Sequence, residues 1–175
     1  FGPVLSMMTT KKYEDALKHL DKLHNEDQDI VNKFKGLVYL NKKDWKNSLI
    51  YYQKISEDKY DFEISNNIGV ALFKLGKFSE ASNKFEKSII YNKSYIPAYE
   101  NVSLSHKLLK NYNLSIKFII KALKLMPDNN KIKNYLIDIF NYYDLDDDEN
   151  YIININTKIK NFNLIQKEKK IINKI

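Results

Sequence analysis

A pattern of small and large residues recurs along this chain with a period of 33 to 34 residues. Gly36, Gly69 and Ser103 are 33 and 34 residues apart, and an aromatic residue follows each of them nine residues later. Three further columns keep the same register: small residues at Ser48, Ala81 and Ser115, large residues at Tyr52, Phe85 and Ile119, and a mixed set at Ile55, Ser88 and Ala122. Fixed-period self-similarity of this length indicates a repeat protein built from stacked supersecondary units.

The stretch from Phe62 to Tyr95 shows the unit most clearly. It predicts one helix, a short turn at Gly76 and Lys77, and a second helix. A small residue on each helix lets the two helices approach closely, and a large residue one turn away fills the space beside it. Because each helix pair leaves one apolar face uncovered, the pairs must stack on one another.

These columns resemble the tetratricopeptide repeat family, whose unit is a helix–turn–helix of about 34 residues. The copy at 96–129 matches with Tyr99, Val102, Ser103, Ser115, Ile119, Ala122 and Pro127, while His106 stands where the family prefers a large aromatic residue. The resemblance covers roughly Lys11 to Tyr143. It implies an all-α fold, a right-handed superhelical solenoid of stacked antiparallel helix pairs, with about three full repeats and half repeats at the ends.

The same columns suggest the domain boundaries. Residues 13–23 repeat only the second-helix pattern and residues 130–143 only the first-helix pattern, so we expect the array over 9–143. We interpret residues 1–8 as a non-native addition or the remnant of a longer chain, outside the fold. We expect residues 144–175 to form a divergent helical extension, with one helix predicted to about Lys160 and another from about Leu164. The extension pattern continues to the last residue, which suggests a larger protein.

Composition argues against several classes of function. The chain has no cysteine, so thiolate metal sites and catalytic thiols are excluded. The formal charge is +7, but all 29 residues counted as lysine or arginine are lysine. Arginine is the residue that reads bases and clamps phosphate, so we do not expect a nucleic-acid partner. No run approaches the roughly 18 apolar residues of a membrane span, and no signal peptide is visible. We expect a cytoplasmic protein without a membrane partner.

Signatures of catalysis are also missing from the sequence. The three histidines lack metal-ligand spacing with carboxylates, and no glycine-rich loop could cradle phosphate. The acidic run from Asp144 to Asn150 resembles a calcium loop, but Glu149 and Ile155 occupy the places that need glycine and glutamate. We therefore expect no enzyme activity, no metal and no cofactor.

The candidate site is a stripe on the first helices of the repeats, which the resemblance places on the concave side of the superhelix. Residues at i, i+3 or i+4, and i+7 share one helix face. We call this stripe the first-helix wall, and it consists of Lys33, Leu37, Leu40, Asn66, Asn67, Val70, Phe73, Lys74, Asn101, Leu104 and Leu108. An aligned apolar row is unusual on a purely solvated surface. Either a ligand covers it, or another helix of the chain, such as the C-terminal one, packs into it.

Asn67 and Asn101 hold the same position in successive repeats. A side-chain amide is both donor and acceptor, so it can pair with any peptide backbone, and in related repeat proteins asparagines at this position hold an extended peptide. The family's carboxylate clamp, by contrast, does not fit this chain. Lys33 and Asn67 match two of its five places, but Leu37, Pro97 and Asn101 do not match the others.

Three functions follow as expectations. The first is a non-catalytic protein–protein interaction module that binds a peptide or helix in the concave groove. The alternative, implied by the resemblance, is an N-terminal accessory or scaffold region of a larger bacterial enzyme, such as a glycosyl-, sulfo- or methyltransferase or an oxygenase, contributing substrate recruitment or oligomerisation. The third is a homodimer formed through terminal repeats, because repeat arrays without polar caps expose apolar ends.

Overall fold

The computed structural model describes residues 1–142, and within that range the regular structure is helical, without strands. The α-helices in chain order are α1 (Gly2–Thr9), α2 (Tyr13–Asp21), α3 (Gln28–Asn41), α4 (Trp45–Gln53), α5 (Phe62–Lys74), α6 (Phe78–Tyr91), α7 (Ile96–Leu108), α8 (Tyr112–Leu125) and α9 (Asn130–Tyr142). Each helix packs on the next one along the chain, and α5 also contacts α3 and α7. The predicted solenoid of antiparallel helix pairs is confirmed.

Every first helix that is followed by a second helix ends in the same turn. In the second repeat the Gly76 amide donates to the Phe73 carbonyl at 3.0 Å, and the Lys77 amide donates to the Leu72 carbonyl at 3.0 Å. Such a turn needs one residue with positive φ after the helix, which is Gly76 at 79°. In the other three turns that position is occupied by a lysine, namely Lys11, Lys43 and Lys110.

Aspartates fix where three of the helices begin. Asp27, Asp44 and Asp61 each accept a hydrogen bond from a backbone amide in the first turn of α3, α4 and α5. These bonds satisfy amides that have no partner inside the helix, and the negative charge favours the helix N-terminus. For Asp44, hydrogen bonding to Asn47 holds the pKa of the carboxyl below its ordinary value.

A glycine facing an aromatic ring joins the two helices of the first and second repeats. A Cβ atom added to Gly69 would lie 2.5 Å from the ring of Phe85, and one added to Gly36 would lie 2.9 Å from the ring of Tyr52. Phe85 and Tyr52 are buried. The glycines are therefore required by the close approach of the helices, as the periodic columns predicted.

In the third repeat, hydroxyl groups occupy the equivalent contact between the paired helices, which we call the joint. The Ser103 hydroxyl donates to the Ser115 carbonyl at 2.8 Å, and the Ser115 hydroxyl donates to the Ser103 carbonyl at 2.7 Å. Both serines are fully buried, and the nearby large residue is Ile119 instead of a ring. The smaller aliphatic side chain leaves room for the serine pair, and the pair satisfies its own polar groups.

The core runs along the array as three clusters. The first joins α1, α2 and α3, the second is centred on Tyr52 and Phe85, and the third joins α7, α8 and α9. Ile89 and Phe118 pack against both the second and the third cluster. Ile132, Leu136 and Ile139 of α9 are buried, as their spacing predicted.

The N-terminal end differs from the prediction. We expected the array to open on a single second helix, with residues 1–8 outside the fold, but α1 packs on α2 and α3. Val4 is fully buried, and the ring of Phe1 stacks on that of Phe34 with centroids 4.4 Å apart. Eight residues are too few to show the repeat columns, yet they are enough to bury one apolar residue. The predicted extension over 144–175, with its acidic run and two helices, lies outside the described residues.

Candidate functional site

The apolar part of the first-helix wall is partly open to solvent. Leu37, Leu40, Val70, Phe73 and Leu104 are half-buried, and Leu108 is 47% exposed. Val70 and Phe73 rest on the second core cluster, and the ring of Phe73 meets that of Phe78 edge-on at 5.1 Å. The core thus supports these side chains from behind while one side stays accessible. Lys74 is exposed at the end of α5.

The asparagines of the wall connect neighbouring helices. The Asn101 amide group donates from Nδ2 to Asn66 Oδ1 at 3.0 Å, which links α7 to α5. Asn67 donates from Nδ2 to the hydroxyl of Tyr52 at 3.1 Å, which links α5 to α4. Asn66 is buried, whereas Asn67 and Asn101 are half-buried. The donor groups of Asn67 and Asn101 are thus oriented by contacts within the protein.

Lys33 forms a charged link between α3 and the start of α5. Its Nζ atom lies 2.8 Å from Asp61 Oδ2 and 3.0 Å from Glu63 Oε2. Burial by itself lowers the pKa of Lys33, but the hydrogen bonds and negative charges of Asp61 and Glu63 outweigh it and raise that pKa. The lysine is therefore charged and already neutralised by two carboxylates.

A cavity of about 570 Å³ lies between α7 and α9, next to the wall. Its lining residues are Glu100, Asn101, Leu104, Lys131, Asn134, Tyr135 and Asp138. Lys131 Nζ lies 2.9 Å from Glu100 Oε1, and Lys107 Nζ lies 5.4 Å from the centre of the Tyr135 ring. The wall prediction omitted α9, although Asn134 and Tyr135 stand one period after Glu100 and Asn101 and could have been found that way.

Behind the wall, His106 occupies a buried position between α6 and α8. Its Nε2 atom is 3.1 Å from the Ser82 hydroxyl and 3.9 Å from Glu86 Oε1, and its ring stacks on Phe118. Within the described part of the chain its Nδ1 atom has no hydrogen-bond partner. Burial lowers the pKa of His106, and the charge of Glu86 offsets this only in part. The ring is therefore a neutral packing residue.

Among residues 1–142 no group of three or more histidines, aspartates and glutamates could hold a metal ion. No helix of that region is long and apolar enough to cross a membrane.

The family assignment comes from the third repeat. The family model described as tetratricopeptide repeat matches residues 96–129, which include α7, α8 and the Ser103–Ser115 joint. The resemblance to the tetratricopeptide repeat family is confirmed over these residues. The matched segment has the boundaries that the sequence columns gave for the third copy. No curated protein matches the chain.

Solved tetratricopeptide-repeat structures share its fold. The first such domain of Spaghetti (RPAP3), bound to an HSP90 peptide, is 26% identical, with a TM-score of 0.61 over 66% of this chain and 92% of that one. The second domain of human RPAP3, in complex with an HSP70 peptide, is 22% identical, with a TM-score of 0.59 over 64% and 94%. A double mutant of MamA from RS-1 is 18% identical, with a TM-score of 0.74 over 94% and 93%.

Proposed function

We propose that this protein is a protein-interaction module that binds an extended peptide or a helix in a groove formed by its first helices. The observation that carries the proposal is the row of half-buried apolar side chains on the first-helix wall. Side chains that the core holds from behind and leaves open in front are pre-organised to receive apolar residues of a partner.

Asn67 and Asn101 would supply the polar contacts. The hydrogen bond of Asn67 to Tyr52 and that of Asn101 to Asn66 fix the orientation of both amides. Their carbonyl oxygens can then accept from backbone amides of a peptide, which requires no particular peptide sequence. Apolar residues between the asparagines, such as Val70 and Leu104, would select the side chains of the partner.

The likeness to the first domain of Spaghetti supports a peptide as the ligand, since that domain is bound to an HSP90 peptide. The residues of this chain favour a different chemistry from a carboxylate clamp. Lys33 is paired with Asp61 and Glu63, so its charge is already compensated. Apolar contacts and backbone recognition are therefore expected to dominate on the wall.

The proposal can be tested without knowing the natural partner. Peptides selected from a random displayed library against the full chain would be measured by calorimetry with the wild type and with Asn67→Ala/Asn101→Ala. Losing two hydrogen bonds of about 1 kcal/mol each weakens binding roughly 30-fold. Circular dichroism would confirm that the variant keeps its helices.

Asn83 and Asn113 provide the matched control, because they are exposed asparagines on the second helices α6 and α8. The variant Asn83→Ala/Asn113→Ala should bind the selected peptides like the wild type. Equal affinity of the wild type and the Asn67→Ala/Asn101→Ala variant would remove the wall from consideration as the binding surface.

A further inference from the structure

The turns that join each first helix to its second helix lie together along one edge of the solenoid. They are residues 10–12, 42–44, 75–77 and 109–111, which we call the basic edge. The basic edge carries six lysines and a single carboxylate, Asp44. The turns of the opposite edge, residues 22–27, 54–61, 92–95 and 126–129, carry four lysines and six carboxylates. These lysines are scattered in the sequence, and the fold brings them together in a positively charged row.

Most lysines of the basic edge are free of internal partners. In the part of the chain that the structure describes, the side chains of Lys11, Lys12, Lys43 and Lys110 are exposed and form no ion pair or hydrogen bond. Lys42 is paired with the exposed Glu14 of the preceding second helix α2, and Lys77 is paired with the exposed Glu80 of the following helix α6. Asp44 is engaged in capping α4. The net positive charge of this edge is therefore available to a ligand.

Three of these lysines have a backbone conformation that disfavours them. The φ angles are 59° at Lys11, 66° at Lys43 and 60° at Lys110, in the left-handed region where glycine and asparagine are preferred. Gly76 fills the equivalent position in the remaining turn, and asparagine is abundant elsewhere in the chain. These lysines occupy positions where the backbone favours glycine or asparagine, and they gain no internal contact in return. This combination indicates a role outside the fold.

We propose that the basic edge binds an acidic segment of the partner protein. This inference rests on the proposed function, because the segment would flank the part of the partner that lies on the first-helix wall. The wall leads directly to this edge, since Lys74 and Leu108 are the last residues of α5 and α7. An extended acidic chain can place successive carboxylates near lysines that recur once per repeat.

The chemistry of the edge favours carboxylates over a nucleic acid. Lysine offers a point charge and lacks the planar fork with which arginine grips phosphate and bases. Two of the aromatic residues that begin the second helices are turned toward the protein: Phe78 packs on Phe73, and Tyr13 packs on the first core cluster. They offer no open platform on which bases could stack.

The test uses a fluorescent peptide of ten glutamates as the probe and the full chain as the binder. Its affinity is measured by fluorescence anisotropy at low and at physiological salt. The edge variant, Lys11→Asn/Lys43→Asn/Lys110→Asn, removes three charges and installs a residue that tolerates left-handed φ, so folding is preserved. We expect this variant to bind about tenfold more weakly at low salt, with a shallower dependence on salt.

A second variant, Lys18→Gln/Lys87→Gln/Lys117→Gln, removes the same charge from exposed lysines on the second helices α2, α6 and α8. It should change the affinity less than twofold. If both variants weaken binding of the glutamate peptide equally, the effect depends only on net charge and the proposal is overturned. Unchanged affinity of the edge variant would also overturn it.

Two further arms separate this proposal from its alternatives. A single-stranded oligonucleotide or an anionic lipid vesicle that binds more tightly than the glutamate peptide, and loses affinity with the edge variant, would overturn the assignment to an acidic protein segment. Asn67→Ala/Asn101→Ala should leave glutamate-peptide binding unchanged, whereas it should weaken library-selected peptides. The experiment therefore distinguishes a wrong assignment of the wall from a wrong assignment of the basic edge.

Discussion

The second and third repeats occupy equivalent places in the array and solve the same packing problem with different chemistry. At the joint between paired helices, the second repeat sets Gly69 against the ring of Phe85, whereas the third pairs Ser103 with Ser115. One turn further along the first helix, Leu72 corresponds to His106, and in the following turn Gly76 corresponds to Lys110. The fold therefore demands close approach and satisfied polar groups, and it accepts more than one set of residues that provides them.

The wall, by contrast, is the same in both repeats at its central polar position. Asn67 and Asn101 stand one period apart, and both are half-buried. Neither belongs to a joint between paired helices. The residues at the joints differ between the two repeats, whereas the wall asparagine is repeated. The joints hold the array together, and the wall asparagines are the residues that we propose contact a partner.

The largest effect is expected at the glycine–ring joint. Gly69→Ala would put a Cβ atom 2.5 Å from Phe85, and overpacking of about 3 kcal/mol exceeds the roughly 1 kcal/mol gained in helix propensity. The free energy of unfolding, from chemical denaturation, should fall by about 2 kcal/mol.

Adding Phe85→Ile to Gly69→Ala copies the Ile119 of the third repeat and should restore part of the stability that the single variant loses. If the two losses simply add, the ring is not what excludes a side chain at this position.

The serine joint should respond to a change that leaves volume almost unaltered. Ser115→Ala reproduces Ala81 of the second repeat but removes the donor to the Ser103 carbonyl and leaves a buried hydroxyl with fewer partners. We expect a loss of about 1–2 kcal/mol in the free energy of unfolding. The exposed Ser79→Ala serves as a control and should stay within about 0.5 kcal/mol. Similar values for both would mean that the reciprocal bonds contribute no net stability.

Exchanging the turn residues should give effects of opposite sign. Lys110→Gly relieves a left-handed lysine and should stabilise the chain by about 0.5–1 kcal/mol, whereas Gly76→Lys should destabilise it by a similar amount. Thermal unfolding at fixed salt would measure both changes. A stabilising Gly76→Lys would contradict the conformational cost assigned to these lysines.

The smallest effect concerns pH. Burial lowers the pKa of His106 below its ordinary value of 6.5, so on acidification the unfolded chain takes up a proton before the folded chain does. Stability should therefore fall as the pH drops below about 6.5, until the lowered pKa of the folded state is passed. His106→Leu, which copies Leu72, should flatten the curve of unfolding free energy over that window. An unchanged curve would show that His106 is not the group responsible.

The periodic columns predicted the fold because they record sterically forced contacts. Gly36, Gly69 and Ser103 must be small where helices touch, and that requirement is visible in one sequence. The α1 helix was missed because its contribution, chiefly Val4, leaves no periodic trace in eight residues.

The candidate site was only partly foreseeable. Helical periodicity identified the open face of α5 and α7, but it gave no sign that Asn66 would be buried or that Lys33 would be neutralised by Asp61 and Glu63. Those contacts join residues on different helices, so they depend on how the pairs stack. The basic edge was hidden for the same reason, because its lysines come together only when the turns align.

The central claim, that the first-helix wall is the surface on which a peptide lies, can be tested directly because the chain contains no cysteine. Lys74→Cys on the wall and Lys87→Cys on the second helix α6 replace exposed lysines and would each carry one environment-sensitive fluorophore. On addition of a library-selected peptide, the emission of the label at position 74 should shift to shorter wavelength, and that at position 87 should stay constant. A shift at position 87 with none at position 74 would contradict the claim.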